Sequence, residues 1–512
     1  MGKKKESEKE VSGFLKGVER VGNALPHPAV IFIILCVLVI VLSGIGASKG
    51  WSVSYYDAKA EQDVVAEVQS LFNKEGLAYI FNNATKNYTN FAPLGTVLVA
   101  IMGVGVAEYS GLINTSLKKI LMGVNPKFLT AVVVFTGIIS NIADASGYVV
   151  VIPLGALMFA AAGRHPIAGL AAAFAGVSGG FSANLLIGPT DALLAGITNE
   201  ALVSAGIDYQ MAATANWYFM IASTILLTIL GTYVTENIVE KNLGEYNGSY
   251  KPDNEPITAL EQKGLKRAGI ALLIFAAIMA YLMIGENAVF KALDANGEMT
   301  LDHFLNNGLL LMILLLFLIP GFVYGKTVGT MKTSSDLVKG MTHGTSSMAG
   351  YLVLVFFAAQ FVNYFGYTKL GIILSVNGAE FLKSINFVGL PLIIAFVILS
   401  AFLNLFMGSA SAKWGIMAPI FVPMMMKLGL TPELTQVAYR IGDSSTNIIT
   451  PLMSYFAMIV VFSQKYDEES GLGTLISTML PYSGVFLLGW IVLISIWYGL
   501  NLPLGPGAFI RL

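Results

Sequence analysis

Charged residues are scarce in this chain. Only 12% of its 512 residues are charged and 55% are hydrophobic, whereas about 25% of an ordinary soluble domain is charged. The scarcity excludes a soluble protein as the leading class, and a net charge of −1 gives no reason to expect a nucleic-acid partner. The single cysteine, Cys36, cannot form an intramolecular disulfide. The absence of an HExxH motif and of a phosphate-binding loop argues against a zinc protease and an ATP-driven pump.

Long apolar runs take the place of charge. The run Ala29–Ala47 is uncharged and long enough for a helix to cross about 30 Å of hydrocarbon. We therefore predict an all-α polytopic membrane protein with nine transmembrane helices. The predicted spans are 28–47, 92–113, 166–196, 214–235, 268–285, 307–325, 345–365, 432–463 and 475–499.

Two further apolar stretches, 128–161 and 388–427, are interrupted near the middle. The sequence NIADASG (141–147) breaks the first, and NLFMGSASAKWG (404–415) breaks the second. Non-helical backbone at membrane depth is tolerated only where it packs in protein or lines a watery cavity. We predict two re-entrant hairpins with polar tips.

The distribution of Lys and Arg gives an orientation and a domain plan. Positive residues are more frequent in the segments that lie inside when the N-terminus is cytoplasmic. The plan has a cytoplasmic N-terminus, a first half, a cytoplasmic linker and a second half, with a sizeable outer loop or small cap at 48–91 and an interfacial segment at 369–385. The boundaries of the four main parts are 1–27, 28–236, 237–267 and 268–512.

The two halves contain an inverted repeat. Asn141 and Asn404, at the two hairpin tips, lie 263 residues apart, and so do the G-x-x-S-x-N motifs GGFSAN (179–184) and GDSSTN (442–447). Pro166 opens the broken helix 166–196, as Pro432 opens the broken helix 432–463. An inverted repeat with broken helices is typical of a secondary transporter.

The repeated polar residues predict two oxygen-rich clusters suited to Na⁺, since Asn and Ser oxygens and broken-helix carbonyls coordinate such ions. The first oxygen cluster is Asn141, Ser182 and Asn184, and the second is Asn404, Ser445 and Asn447. A second interpretation is that the hydroxyls bond the carbonyl one turn back in their own helix.

The few ionisable residues of the membrane segments indicate a substrate and coupling site. Arg440 is a permanent cation that suits a carboxylate. Asp191 and Asp443 are candidates for proton or Na⁺ coupling, and Trp414 and Tyr439 for stacking on an aromatic substrate. The alternatives are a structural Arg440–Asp443 ion pair and ordinary aromatic packing. Glu108, Asp144 and Lys413 complete the set.

Three motifs resemble the AbgT family, the p-aminobenzoyl-glutamate transporters. They are FSANLLIGPTDALLAG (181–196), SASAKWGIMAPIFVPM (409–424) and YRIGDSSTNIITPLMSYF (439–456), and the resemblance extends from about Pro26 to Pro503. It implies a homodimer of nine-helix protomers in the bacterial inner membrane, each with an inner transport core and an outer scaffold. The functional positions that it implies are Asp191, Asn404, Ser411, Trp414, Pro432, Arg440, Asp443 and Pro451.

These observations lead to one functional hypothesis and several rivals. The hypothesis is a cation-coupled secondary transporter of p-aminobenzoyl-glutamate-like aromatic carboxylates, with sulfonamide antimetabolite efflux as a further activity. Na⁺ or H⁺ is the coupling ion, and no cofactor or nucleic acid is expected. The rivals are a sodium-coupled dicarboxylate-type anion symporter, a channel and an intramembrane hydrolase that uses paired aspartates.

Overall fold

The computed structural model describes residues 28–512, apart from 58–61, 123, 144–146, 247–256, 286–287, 294–298, 302, 305–307, 451–452, 454 and 469. The N-terminal segment 1–27 and two residues singled out by the sequence, Asp144 and Pro451, therefore lie outside the described residues.

Helices form most of the described chain. In the first half they are α1 (Pro28–Ser48), α2 (Lys74–Thr89), α3 (Ala92–Tyr109), α4 (Leu112–Met122), α5 (Leu129–Ser140), α6 (Ile152–Ala161), α7 (Pro166–Phe174), α8 (Pro189–Ser204), α9 (Trp217–Val234) and α10 (Glu240–Leu243). In the second half they are α11 (Ala259–Met283), α12 (Leu309–Val328), α13 (Ser334–Ser347), α14 (Ala349–Tyr367), α15 (Leu370–Ser384), α16 (Leu390–Asn404), α17 (Ala410–Lys427), α18 (Pro432–Asn447), α19 (Phe456–Gln464) and α20 (Leu472–Leu500).

Six helices of the described chain are long and apolar enough to cross a membrane, or seven if the bent pair α3 and α4 is one span. The pair bends by 67°, whereas the sequence predicted one span at 92–113. The bend occurs at Gly111, whose φ of 88° is accessible mainly to glycine. Apart from α17, the broken helices and hairpin arms each have fewer than 18 residues, so the count of nine spans stays a prediction.

Contacts between the arms show that both predicted segments fold as hairpins, and their re-entry into the membrane stays a prediction. In the first, Gly147 lies against Ser140 at the tip, and Gly155 lies against Val133 farther down. In the second, Asn404 bonds Lys413 near the tip, and Phe396 of α16 packs at a tilt against Phe421 of α17 with ring centroids 4.8 Å apart. Each of the two segments therefore turns back on itself near its polar break.

Both predicted broken helices are present. The first passes from α7 into a π turn at Ala175–Gly179, becomes non-helical, and resumes at α8. The second is interrupted between α18 and α19. Proline begins α7 and α18 because it lacks the N–H that a first helical turn leaves unbonded. Thr431 caps α18, where its side chain accepts a hydrogen bond from the Leu434 N–H at 3.3 Å.

Buried side chains join both hairpins and both broken helices in one core. This core includes Val133, Phe174, Val397 and Trp414, with α9 and α20 packed against it. A second cluster joins α1, α14 and the segment before α2. A third contact region packs α3 closely on α12 and α13 through glycines. The arrangement agrees with an inner core and an outer scaffold.

The segment 48–91 folds as a small cap on the scaffold. Strand β1 (Ser52–Asp57) pairs antiparallel with β2 (Gln62–Glu67), and a second short hairpin joins β3 (Ala292–Leu293) to β4 (Met299–Thr300). Asn87 on α2 donates to the Gln360 side chain on α14 at 3.0 Å. Helix α15 occupies the segment predicted to be interfacial.

Helices extend into the predicted linker from both sides. Helix α9 continues through a π turn at Thr235–Val239 into α10, and α11 begins at Ala259 instead of residue 268. The cause of the early start is a capping box between Thr258 and Glu261. Helical structure therefore extends into the predicted linker from both ends, and residues 247–256 lie outside the described residues.

Candidate functional site

Asn404 lies at the centre of the second hairpin because helix α16 ends there. It is fully buried, and its Nδ2 lies 2.7 Å from the Asp443 carbonyl oxygen. The same nitrogen is 2.9 Å from Thr446 Oγ1 and 2.8 Å from Asn447 Oδ1. The second oxygen cluster is thus only partly assembled as predicted, since Ser445 Oγ turns back to the Gly442 carbonyl at 3.2 Å.

Lys413 is the cation that the sequence reasoning left without a role. Its side chain is 1% exposed, and its Nζ lies 2.5 Å from Asp443 Oδ1. The same nitrogen bonds Asn404 Oδ1 and lies 5.6 Å from the ring centroid of Tyr439. One signal for this role existed in the sequence. Lys413 is one of only two cations in the membrane segments and lies in a hairpin opposite the broken helix that carries Asp443.

Arg440 pairs with Asp191, which belongs to the other repeat. Arg440 Nη2 lies 2.7 Å from Asp191 Oδ1, with the side chains 4% and 5% exposed. Asp191 is held by its helix, because its Oδ2 accepts a hydrogen bond from the Gly188 N–H at the start of α8 at 2.8 Å. The alternative of an Arg440–Asp443 pair is wrong here: each has another partner, and those partners lie on α8 and α17.

Trp414 and Tyr439 stack on each other. Their ring centroids are 4.6 Å apart, and both side chains are fully buried. Trp414 Nε1 donates to Thr198 Oγ1 at 3.0 Å, and Thr198 donates to Gln436 Oε1 at 2.8 Å. In this conformation the two rings are core packing, and Thr198 and Gln436 are polar members of the site that the sequence did not single out.

Two members of the first oxygen cluster, Asn141 and Asn184, meet at the end of α5. Asn141 Nδ2 donates to the Ile138 carbonyl at 3.1 Å, and Asn184 Nδ2 approaches the same carbonyl at 3.4 Å. Asn184 Oδ1 accepts from the Leu185 N–H at 2.8 Å. Ser182 Oγ is buried and has no hydrogen-bond partner within the described part of the chain. The structure thus brings Asn141 and Asn184 to one carbonyl, whereas Ser182 lines a separate small cavity with Arg440 and has an uncommitted hydroxyl.

A cavity of about 210 Å³ lies between the two hairpins. Helix α8 contributes its first residues, Pro189 and Thr190, and helix α17 contributes Ala410 and Ser411. The N-termini of two helices therefore reach the same cavity. Its other walls are Asn141 and a mainly apolar set, Ile101, Phe181, Leu193, Leu194, Met348 and Tyr351.

The remaining predicted positions differ in how directly they meet this cavity. Ser411 lines it, whereas Pro432 is buried at the start of α18. Arg440 lies beside a smaller neighbouring cavity with Ser182. Pro451 is outside the described residues.

The family-model comparison matches residues 13–512 to the AbgT transporter family. A p-aminobenzoyl-glutamate transport protein of Escherichia coli K12 is 37% identical over 503 residues, which is 98% of each chain.

The chain belongs to the AbgT family.

Two solved AbgT structures have the same architecture. The MtrF structure from Neisseria gonorrhoeae, described within a class of antimetabolite efflux pumps, has a TM-score of 0.90 and 46% identity and covers 97% of this chain and 100% of its own. The YdaH transporter of Alcanivorax borkumensis, described as having an unusual topology, has a TM-score of 0.87 and 43% identity and covers 94% of this chain and 100% of its own.

Membership in the AbgT family makes this protein a multi-pass membrane transporter and not an enzyme. The hydrolase hypothesis is therefore excluded. The sequence GVSGG (176–180) does match the G-x-S-x-G pattern of hydrolases, but it lies largely within a π turn of the first broken helix. Its Ser178 Oγ is 3.1 Å from the sulfur of Met453. This stretch therefore belongs to the packing of the broken helix and is not a hydrolase motif.

Proposed function

We propose that this protein is a cation-coupled secondary transporter of p-aminobenzoyl-glutamate-like aromatic carboxylates. The observation that carries the proposal is the cavity between the hairpins, where two helix N-termini and several apolar side chains meet. The positive ends of helix dipoles favour carboxylates. The name of the E. coli relative supports the same substrate class.

The apolar wall explains why the substrate would carry an aromatic ring. Phe181 and Tyr351 lie on the cavity with aliphatic side chains around them. A ring buried there contributes apolar contact, and aromatic pairs add about 0.5–1.5 kcal/mol beyond area burial. A simple dicarboxylate would use the helix N-termini and leave this wall without a partner, which favours the aromatic substrate over the dicarboxylate-type alternative.

The Arg440–Asp191 pair would connect substrate binding to movement between the repeats. Asp191 follows Thr190, which lines the cavity, and its partner Arg440 belongs to the second repeat. A substrate carboxylate that replaced Asp191 on the guanidinium would release α8 from α18. Such an exchange between two buried partners is a discrete switch of the kind that alternating access needs.

The coupling ion of this proposal is Na⁺ or H⁺. The neutral oxygens of the first oxygen cluster suit Na⁺, and the uncommitted Ser182 hydroxyl offers it a ligand. In the second oxygen cluster the Asn404 oxygen is already bonded to Lys413, so this set does not fit a sodium ion. Asp443 would contribute to coupling there through its ion pair with Lys413.

A second candidate activity is the efflux of sulfonamide antimetabolites. The likeness to MtrF favours it, because that protein is described within a class of antimetabolite efflux pumps. Sulfonamides share the p-aminophenyl group with p-aminobenzoyl-glutamate, so the same apolar wall would accept them.

The proposed setting is a homodimer in the bacterial inner membrane with the N-terminus in the cytoplasm. In a Cys36→Ser background, we expect Gln210→Cys to react with an impermeant thiol reagent from the periplasmic side and Asn242→Cys to be protected. Both positions are exposed and polar, so the pair is matched. The opposite labelling pattern would reverse the assigned orientation.

Gradient-driven uptake by proteoliposomes tests the function itself. Labelled p-aminobenzoyl-glutamate should accumulate when an inward Na⁺ or H⁺ gradient is imposed, and excess unlabelled succinate should not compete. Phe181→Ala, in the cavity wall, should raise the KM. Phe402→Ala is the matched control because this phenylalanine is exposed on α16, the first arm of the second hairpin. Accumulation without any gradient, or an equal effect of both variants, would contradict the proposal.

A further inference from the structure

The second oxygen cluster already holds a positive charge supplied by the chain. Lys413 lies one turn into α17, buried to 1% exposure, with its ammonium directed at Asn404 Oδ1 and Asp443 Oδ1. A lysine ammonium has three donors and no acceptor. Here it contacts an amide oxygen and a carboxylate, and the face of the Tyr439 ring lies 5.6 Å away.

Both amide oxygens of this cluster already accept hydrogen bonds. The Asn404 oxygen accepts from Lys413, and the Asn447 oxygen accepts from Asn404 at 2.8 Å. The hydroxyl of Ser445 donates to a carbonyl of its own helix. A sodium ion at this position would need these same oxygens, and it would also be repelled by the ammonium, since like charges interact strongly where water is excluded.

We infer that the Lys413 ammonium is the resident cation of the second oxygen cluster and that it closes this cluster to sodium. The inference rests on the cation coupling proposed above, and it assigns the coupled sodium to the first oxygen cluster alone.

The first repeat has neither member of the ion pair. At the 263-residue offset, Val150 corresponds to Lys413 and Gly180 corresponds to Asp443. The first oxygen cluster therefore consists of neutral oxygens with no built-in cation, and its Ser182 hydroxyl is uncommitted. At the first oxygen cluster, a mobile ion would have to supply the positive charge that Lys413 supplies in the second repeat.

The attachment of the cation has a mechanical consequence. A sodium ion can leave its site for water, but Lys413 stays on α17 and holds this hairpin arm to α18 through Asp443. The second hairpin is therefore docked whether or not sodium is present. Sodium would control the first hairpin only.

Sodium-22 equilibrium binding to the purified full-length protein in detergent tests this assignment. Lys413→Met removes the ammonium and keeps the approximate length of the side chain. It should bind one more sodium per protomer than the unmodified protein, because Asp443 and Asn404 become free to hold an ion. Lys413→Arg, which keeps the charge, and the double variant Lys413→Met with Asp443→Asn should show no such gain.

The counts distinguish this inference from the proposed function. A gain of one sodium in Lys413→Met supports the inference even if the unmodified protein binds none, a result that would count against sodium coupling instead. Equal counts in Lys413→Met and the unmodified protein would overturn it. If Lys413→Met does not fold at any sodium concentration, the Asn404→Ala variant decides. An unchanged number of bound sodium ions in Asn404→Ala supports the inference, and the loss of one sodium overturns it.

Discussion

The two repeats share a backbone plan and differ in where they keep their charge. Both have a hairpin with an asparagine at its tip, facing a broken helix with an S-x-N motif. In the first repeat the tip residue Asn141 donates a local hydrogen bond to the Ile138 carbonyl. In the second, Asn404 joins a buried network with Lys413 and Asp443. The same backbone plan thus carries a neutral polar set in one repeat and a buried ion pair in the other, and we infer that only the neutral set would take a mobile ion.

The largest expected effect is the loss of one partner of the buried pair in the second repeat. Asp443→Asn leaves the Lys413 ammonium without its carboxylate, and breaking a buried pair in this way costs about 3–5 kcal/mol. Thermal unfolding in detergent should show a large decrease in stability. The double variant Lys413→Met with Asp443→Asn should recover much of it.

The control for this prediction is Val150→Ala, at the position in the first repeat that corresponds to Lys413. Val150 is only partly buried, so we expect a small change in stability. If Asp443→Asn and Val150→Ala have equal effects, the charged character of the second repeat does not stabilise it.

The second expected effect is on substrate affinity. Arg440→Lys keeps the charge but loses the planar guanidinium that can bond two oxygens at once. We expect the KM for p-aminobenzoyl-glutamate to rise about tenfold, which corresponds to about 1.4 kcal/mol, with some transport remaining. Initial rates of uptake measure it, and the first-repeat control is Val177→Ala. An unchanged KM in Arg440→Lys would remove Arg440 as a substrate ligand.

The third effect contrasts the two tip asparagines. Asn404→Ala leaves several buried groups without a partner, which should lower the free energy of unfolding by about 1–3 kcal/mol. Asn141→Ala loses the hydrogen bond to the Ile138 carbonyl from a half-buried side chain, with an expected loss of about 0.5–1.5 kcal/mol. Sodium should stabilise the Asn404→Ala protein as it does the unmodified protein, but should stabilise Asn141→Ala less. The opposite sodium response would exchange the roles of the two clusters.

The smallest effects concern the two serines of the repeated motif. Ser182→Ala should leave the stability in sodium-free buffer almost unchanged, because its hydroxyl has no partner within the described chain, but it should reduce the stabilisation by sodium. Ser445→Ala loses one bond to its own helix and should leave the sodium response intact. Melting curves in NaCl and choline chloride compare the two. A reduced sodium response in Ser445→Ala but not in Ser182→Ala would contradict the account.

The sequence predicted the hairpins and broken helices because their signals are local. Polar breaks such as NIADASG stand out in an apolar run, and Pro166 and Pro432 mark helix starts. The ion pairs could not be predicted in the same way. Spacing along α18 suggested that Arg440 pairs with Asp443, but the partners come from α8 and α17. Their proximity depends on how the hairpin and the two repeats pack, which local spacing does not encode.

Two further details of the structure differ from the sequence prediction, and each difference has a physical reason. The span 92–113 bends because Gly111 adopts a positive φ, and a glycine alone does not reveal which conformation it takes. The sequence offered Trp414 and Tyr439 for stacking on a substrate or for core packing, and their stacking on each other depends on the register between α17 and α18. Long-range register is therefore the main information that the sequence patterns lacked.

Substrate counterflow tests the central claim most directly. Proteoliposomes loaded with unlabelled p-aminobenzoyl-glutamate are diluted into trace labelled substrate, with equal ion concentrations on both sides. A carrier with the proposed specificity should produce a transient accumulation of label, which Phe402→Ala retains and Asp443→Asn loses. The absence of any transient with p-aminobenzoyl-glutamate, or its appearance only with a simple dicarboxylate such as succinate, would contradict the account.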